Sequence, residues 1–254
     1  MSMPSLNMVM RSALRFFVAM AVSMIATACR EGSAPEGVRV SFSRDWVMPL
    51  AADPQEEPTD DSLRIYAVNI IHDPPQDWTG YGVYLGRGLV ITAAHVVGSA
   101  WQTKPSVRFG DLVLPAIAVK EGASDTVDLT LLRVEEQRLP VSLQLRRMPV
   151  CQGPPWVGEP VIVAIPNDTA RSRIMWPRLL PAEYRERFST VIRDVAITGN
   201  SGSGVFDAAN KCLLGIISRI IMGRTNSESE PKGFAKYFVP AETIVAFIPS
   251  EYHF

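Results

Sequence analysis

The feature of this sequence that most restricts its fold is a succession of short apolar runs, which begins near residue 62 and continues almost to residue 240. The runs are rich in Val, Ile, Leu and aromatic residues, and Gly, Pro, Asn or Asp separates many of them. Branched and aromatic side chains favour strands, whereas the separating residues favour turns. The eleven runs are LRIYAVNII, YGVYLG, GLVITAA, SVRFG, LVLPAIAV, DLTLLRV, EPVIVAI, STVIRDVAI, GVFDA, CLLGIISRII and FAKYFVP. They predict an all-β chain.

Helical periodicity is strongest at the C-terminal end of the chain. Residues 241–250, AETIVAFIPS, place Ile244, Val245 and Ile248 on one face of a helix. Residues 181–188, PAEYRERF, suggest a shorter helix within a loop. The sequence shows no long internal repeat and no second domain. Two Greek-key β-barrels followed by a C-terminal helix account for this number of strands, and the contact between the barrels is the expected place for a site.

Composition excludes several classes of protein. With 47% hydrophobic and 20% charged residues, the chain can bury a real core, so disorder is not expected. The net charge of −1 and the absence of a long basic run argue against a nucleic-acid partner. Only three histidines are present, and no CxxC spacing occurs, so we expect neither a metal nor an organic cofactor.

The first 28 residues have the composition of an export signal and are set apart from the fold. They contain no acidic residue, carry Arg11 and Arg15, and end in a thirteen-residue apolar run that is short for a membrane span. The run ends in IATAC, which resembles a bacterial lipobox and predicts Cys29 as a lipidated first mature residue. The expected partner is therefore a membrane, reached through an N-terminal lipid.

The residues around the expected cleavage site also bear on localisation. Arg30, rather than Asp, follows the cysteine, which favours the bacterial outer membrane, on the side that faces the periplasm. Ala26 and Ala28 also satisfy the requirement for small residues before ordinary signal cleavage. A periplasmic or secreted protein without a lipid is therefore the alternative.

Residues 29–61 are rich in Pro, Gly, Ser and acidic residues and predict a tether, so the folded domain is expected at residues 62–254. With Cys29 assigned to the lipid, Cys151 and Cys212 remain. In an oxidising compartment they can form one disulfide that closes a long loop. Two buried thiols are the alternative.

The segment DVAITGNSGSGVFD, residues 194–207, presents Ser201 in a glycine-rich turn. A serine hydroxyl is a poor nucleophile unless a base such as imidazole removes its proton. His95 follows the apolar run GLVITAA, where small neighbours leave space for a substrate. The second imidazole nitrogen needs an acceptor, and Asp128 is a carboxylate inside an apolar run that is costly to bury unless it is paired. Ser201, His95 and Asp128 are therefore the predicted nucleophile, general base and orienting carboxylate.

Three motifs, TAAH at 92–95, DLTLL at 128–132 and GNSGS at 199–203, resemble in order and type the catalytic motifs of trypsin/chymotrypsin-like serine peptidases. The likeness extends over about residues 62–250 and is greatest to bacterial glutamyl endopeptidases and HtrA-type proteases, although no PDZ domain follows. It implies a chymotrypsin-like fold and an endopeptidase that hydrolyses peptides or proteins through an acyl-enzyme. It also implies an oxyanion hole formed by the backbone N–H groups of Gly199 and Ser201.

The resemblance also implies a substrate pocket. Within GIISRI, Ser218 corresponds to the serine that supports the catalytic Asp. The residues that the resemblance assigns to the pocket are Val195, Ala196, Thr198, Ser218 and Ile220. By this resemblance, Val195 stands where trypsins have Asp. Ser218 stands at the position of the pocket His of glutamyl endopeptidases. Neither basic nor acidic specificity is therefore indicated, and the side chains favour a small or medium apolar substrate residue.

Two other functions remain open at this stage. The first alternative is a catalytically silent homologue that binds peptides or a protein partner through the cleft. An esterase of the GxSxG type is the second, but GNSGS lacks the closing glycine and no alternation of strands and helices surrounds it.

Overall fold

The computed structural model describes residues 61–75, 80–193, 201–222 and 233–252. Thirteen strands lie in this part of the chain, and they confirm the predicted all-β class. The described helices are short, and none of them is long and apolar enough to cross a membrane.

The first seven strands form one antiparallel sheet, which curves into half of a barrel. Its order is β5-β4-β1-β2-β3-β7-β6. The strands are β1 (Ala67–Ile71), β2 (Gly80–Gly86), β3 (Leu89–Thr92), β4 (Ser106–Phe109), β5 (Leu112–Pro115), β6 (Ile117–Glu121) and β7 (Thr130–Arg133). Because β3 pairs with both β2 and β7, the segments that follow β3 and precede β7 lie at the same end of the sheet.

The last six strands close into a barrel in the order β10-β13-β12-β11-β8-β9. The strands are β8 (Pro160–Ile165), β9 (Asp168–Met175), β10 (Val191–Arg193), β11 (Gly204–Asp207), β12 (Leu213–Met222) and β13 (Gly233–Pro240). β12 carries two register shifts in its pairing with β13, one between Ile217 and Arg219 and one between Ile221 and Met222. Such bulges commonly lie next to functional sites, where they redirect a side chain.

Short helices connect the strands. They are α1 (Ala94–Val97), α2 (Ala100–Thr103), α3 (Val141–Gln144), α4 (Ala182–Arg185) and α5 (Ala241–Phe247), with 3-10 turns at Asp61–Tyr66, Glu136–Arg138, Pro177–Leu179 and Ser250–Tyr252. The predicted C-terminal helix is confirmed as α5, which buries Ala241, Ile244 and Phe247. It ends three residues earlier than the apolar pattern suggests. Pro249 accounts for the end, because the residue before a proline disfavours helical angles.

Both sheets contribute to one apolar core. Val83 of β2 and Leu131 of β7 share a buried cluster with Phe206 of β11 and Ile216 of β12. A second cluster fills the closed barrel, and it includes Phe238 of β13. The shared cluster fixes the half-barrel against the closed barrel, so loops from both can hold fixed positions at their junction.

Cys151 and Cys212 are joined by a disulfide with a Cα–Cα distance of 5.0 Å and a sequence separation of 61. The sequence alone left a disulfide and two thiols open. The backbone supports the pairing, because Cys151 N donates to Leu213 O at 3.0 Å. The bond ties the segment before β8 to the start of β12.

Candidate active site

His95 lies in α1, a one-turn helix that begins two residues after β3 ends at Thr92. The sequence interpretation placed the imidazole at a strand end, and the structure inserts this turn between the strand and the histidine. The backbone N–H of His95 donates to Asp128 Oδ1 at 3.0 Å, and its Nδ1 lies 2.8 Å from Asp128 Oδ2. With Nδ1 as donor to a carboxylate, Nε2 of the neutral ring is the acceptor. The imidazole is therefore oriented as a base, and about one third of its side chain remains exposed.

Asp128 lies two residues before β7 and is only 4% exposed. Its Oδ2 also accepts a hydrogen bond from the Ser218 hydroxyl at 2.5 Å. Burial is the largest influence on the pKa of Asp128 and would raise it, but hydrogen bonds from His95 and Ser218 and the charge of His95 together bring that pKa below its ordinary value. The network therefore keeps this buried carboxyl group ionised.

Ser201 lies at the junction of the two barrels. Its hydroxyl donates to the carbonyl oxygen of Ser218 at 3.2 Å, and its own carbonyl accepts from Tyr81 N at 3.0 Å. The next amide, Gly202 N, donates to Ile217 O at 2.7 Å. One turn is thus held by β2 of the half-barrel and β12 of the closed barrel.

Ser201 and His95 are linked indirectly, through residues that form hydrogen bonds with each of them. Within the described residues, no hydrogen bond joins Ser201 Oγ to His95, but both residues contact the Ser218–Asp128 pair. Hydrogen bonds between catalytic groups are often long or misaligned when no substrate is bound. The contacts therefore bring the predicted nucleophile, the predicted base and the predicted orienting carboxylate into one network.

Gly202, directly after Ser201, has no room for a side chain. Its φ is +88°, and a Cβ atom on it would lie 1.9 Å from Tyr81 O and 2.6 Å from Thr92 Oγ1. Thr92 Oγ1 in turn donates to Tyr81 O at 2.5 Å. The backbone after Ser201 therefore packs directly on the ends of β2 and β3, which only glycine permits.

Arg219 follows Ser218 on β12 and reaches across to the half-barrel. Its Nη2 donates to Ser124 O at 2.6 Å, and its Cζ lies 5.8 Å from the centre of the Phe188 ring. The hydrogen bond to Ser124 O ties β12 to the loop before Asp128.

The remaining predicted residues divide into two groups. Those outside the described residues are Cys29, Val195, Ala196, Thr198 and Gly199. Of the predicted pocket residues that are described, Ser218 is buried with its hydroxyl on Asp128, whereas Ile220 is half-exposed. Among the described residues, no group of three His, Cys, Asp or Glu side chains is arranged to hold a metal ion.

Sequence reasoning did not single out Lys236, although the structure buries it beside this site. It is 3% exposed and pairs with Ile220 across β12 and β13. The signal was present in the run FAKYFVP, where a charged residue stands inside an apolar strand, as Asp128 does in DLTLLRV.

Comparison with known proteins agrees with this geometry. The sequence profile described as a trypsin-like peptidase domain matches residues 80–216, which is more than half of the chain. No curated protein matches the chain by sequence.

Solved structures show the same fold at low identity. The active form of the Rv3671c protease from M. tuberculosis has a TM-score of 0.55 and 21% identity, over 85% of this chain and 92% of that chain. A serine endoprotease from Yersinia pestis has a TM-score of 0.52 and 18% identity, over 75% and 66% of the two chains. The MamO protease domain from Magnetospirillum magneticum has a TM-score of 0.50 and 17% identity, over 74% and 98%.

The profile match spans the half-barrel strand that carries Tyr81, the histidine and aspartate segments, and the serine turn. The structural likenesses cover the same two-barrel arrangement, which bears out the predicted chymotrypsin-like fold. This chain therefore belongs to the trypsin-like peptidase domain family and is a serine peptidase.

Proposed function

We propose that the protein is an exported endopeptidase that cleaves peptide bonds through an acyl-enzyme on Ser201. The observation that carries the proposal is the continuous network from His95 through Asp128 and Ser218 to Ser201, which spans both barrels. Nucleophilic serine chemistry needs a hydroxyl, a base and a group that orients the base. The presence of these residue types in one hydrogen-bonded network supports the proposal.

In the proposed reaction, Ser201 Oγ attacks the carbonyl carbon of the substrate peptide bond while His95 Nε2 accepts the hydroxyl proton. The same proton then passes from Nε2 to the leaving amine, which departs and leaves an acyl group on Ser201. Water attacks the ester with His95 again as the base, and Ser201 regains its proton when the acid product leaves. Before attack, the Ser201 hydroxyl turns away from the Ser218 carbonyl that it contacts in this structure.

Asp128 supports this cycle without exchanging a proton. Its lowered pKa favours the carboxylate, which stabilises the imidazolium that forms each time His95 takes a proton. The negative charge on the substrate oxygen is assigned to the backbone N–H groups of Gly199 and Ser201. A side chain at position 202 would clash with Tyr81 O. The backbone that follows Ser201 is therefore closely packed, which supports a fixed position for the Ser201 N–H group.

The proposal is tested with a fluorophosphonate probe and an unstructured protein substrate. The wild type should be labelled and should cleave the substrate, whereas Ser201→Ala should lose both activities and keep its circular dichroism spectrum. Ser203→Ala is the matched control, because Ser203 is fully buried and is expected to have no chemical role. Labelling that persists in Ser201→Ala would show that Ser201 is not the nucleophile. A folded wild type that binds peptides but is neither labelled nor active would instead be a silent homologue.

Export and lipid attachment form the second part of the proposal. The sequence before residue 61 supports them, with the apolar run that ends at Cys29 and the polar tether that follows. A disulfide between Cys151 and Cys212 also suits an oxidising compartment such as the periplasm. Metabolic labelling with palmitate should mark the wild type and not Cys29→Ala. Unlabelled wild type in the soluble periplasmic fraction would favour secretion without a lipid.

A further inference from the structure

Lys236 lies on the interior side of the closed barrel. It belongs to β13 and is 3% exposed. Side chains two residues apart on a strand point to the same face, and Phe238 on this strand lies in the cluster that fills the closed barrel. Across β10, the direct partner of Lys236 is Ile192, another member of that cluster. The aliphatic stem of Lys236 is therefore embedded where the barrel interior is apolar.

The other neighbouring strand places Lys236 close to the nucleophile. Its direct partner on β12 is Ile220, which lies two residues after Ser218. Two residues along a strand span about 6.6 Å and adjacent strands lie about 4.8 Å apart, so the backbones of Lys236 and Ser218 are about 8 Å apart. Ser218 O accepts the Ser201 hydroxyl, so Ser201 and Lys236 are both neighbours of the same stretch of β12.

A cation in this position selects an anion. Burial of an ammonium group in apolar surroundings is costly unless negative or polar groups contact it, and its attraction to a carboxylate is stronger there than in water. An ammonium group has three N–H donors, so it can contact a substrate carboxylate together with groups of the protein. Ile220, half-exposed on the same face, supplies apolar contact for the methylene groups of a longer acidic side chain.

We propose that Lys236 is the specificity-determining residue of this peptidase and that the preferred substrate carries Glu or Asp immediately before the bond that is cleaved. The inference rests on the proposed function, since it assigns the substrate class of the Ser201 site. It departs from the apolar preference that Val195, Ala196 and Ile220 suggest in the sequence. The difference arises because the register of β13 brings in a residue that no catalytic motif contains.

The first experiment measures kcat/KM for peptides that differ only in the residue before the cleaved bond, with Glu, its neutral isostere Gln, and Val compared. The wild type should favour Glu over Gln by about 30-fold or more, which corresponds to loss of one partner of a buried charge pair. Lys236→Met should abolish that preference, so that the Glu and Gln peptides are cleaved with similar kcat/KM. Lys120→Met is the matched control, because it removes the same charge from an exposed lysine on β6, and it should keep the preference for Glu.

A wild type that prefers Val, or a Lys236→Met variant that keeps the full preference for Glu, overturns the inference. Labelling by a fluorophosphonate is measured on the same samples, so that loss of all activity is not mistaken for a change of specificity. A wild type that is labelled but prefers apolar residues contradicts the Lys236 assignment alone. A folded wild type without labelling contradicts the proposed function itself.

A second experiment needs no variant and covers the case in which Lys236→Met does not fold. Peptidyl diphenyl phosphonates that carry Glu or Gln next to the phosphorus react covalently with an active-site serine. On the unaltered protein, the Glu compound should inactivate faster than the Gln compound, and moderate added salt should leave most of this advantage, because salt screens a buried charge pair much less than an exposed one. Equal rates, or a faster reaction of the Gln compound, overturn the assignment.

Discussion

The hydroxyl of Ser218 donates a hydrogen bond to Oδ2 of Asp128 at 2.5 Å, although the two residues are 90 positions apart and belong to different barrels. The carbonyl oxygen of the same Ser218 accepts the hydroxyl of Ser201. One residue of β12 therefore contacts both Asp128 and Ser201. The geometry of the site consequently depends on how the closed barrel packs against the half-barrel.

Ser218→Ala should lower activity and raise the pKa of Asp128, because it removes one of the hydrogen bonds that favour the carboxylate. We expect the titration of the Asp128 carboxyl, followed by NMR in the inactive Ser201→Ala background, to move to higher pH. A hydrogen bond to a charged group contributes about 1.5–3 kcal/mol, so the free energy of unfolding at pH 7 should fall by a similar amount. Ser172→Ala, which removes a hydroxyl that contacts Arg193 O, should leave that titration in place. An unchanged titration of Asp128 in the Ser218→Ala variant would contradict the role of this hydrogen bond.

Asp128 should also make stability depend on pH in a defined direction. Its pKa is lower in the folded protein than the value of about 3.9 that an unfolded chain gives. The stabilisation is therefore fully present above pH 4 to 5 and is lost as the pH falls through the folded-state pKa. Urea unfolding of Ser201→Ala, which cannot digest itself, should be compared with Ser201→Ala/Asp128→Asn. The stability difference between them should shrink from pH 6 to pH 2, whereas a constant difference would contradict an ionised Asp128.

Much of the fold follows from local patterns that act within a few residues. Apolar runs bounded by turn residues predicted most strands, since burial on a sheet needs little more than branched side chains of suitable length. β9, Asp168–Met175, was missed because its side chains are largely polar and half-exposed, with Arg171 and Arg173 on it. A strand with one solvent-exposed face lacks the continuous apolar run that identified the other strands.

The residues of the site also divide into those that local sequence patterns predict and those that they do not. His95, Asp128 and Ser201 could be proposed from motifs, because each chemical role requires a particular side chain. The clash at Gly202 and the position of Lys236 could not be found, because both depend on register between strands that are distant in sequence. Residue spacing alone does not determine that register.

Gly202→Ala should abolish activity and destabilise the fold by about 2–4 kcal/mol, through both left-handed backbone strain and overlap with Tyr81 O. Gly110→Ala provides a matched control. Gly110 also has a positive φ, +59°, but a Cβ atom there meets nothing within 4 Å. That control should lose only about 1 kcal/mol and keep its activity. The two variants are compared by urea unfolding and fluorophosphonate labelling, and equal losses would show that crowding at Gly202 is unimportant.

Removal of the Cys151–Cys212 disulfide should lower stability without disabling the site. The bond closes a loop with a sequence separation of 61, for which chain-entropy models give about 4 kcal/mol. Cys151→Ala/Cys212→Ala should therefore show a lower Tm and a lower urea midpoint. The kcat/KM at 25 °C should stay close to that of the wild type, since in the described part of the chain neither cysteine takes part in the hydrogen bonds that join His95, Asp128, Ser218 and Ser201. A reducing agent should lower the Tm of the wild type and not that of the double variant. A Tm that responds to the reducing agent in neither protein would indicate that the bond contributes nothing, whereas loss of kcat/KM in a folded double variant would show that it positions β12 for catalysis.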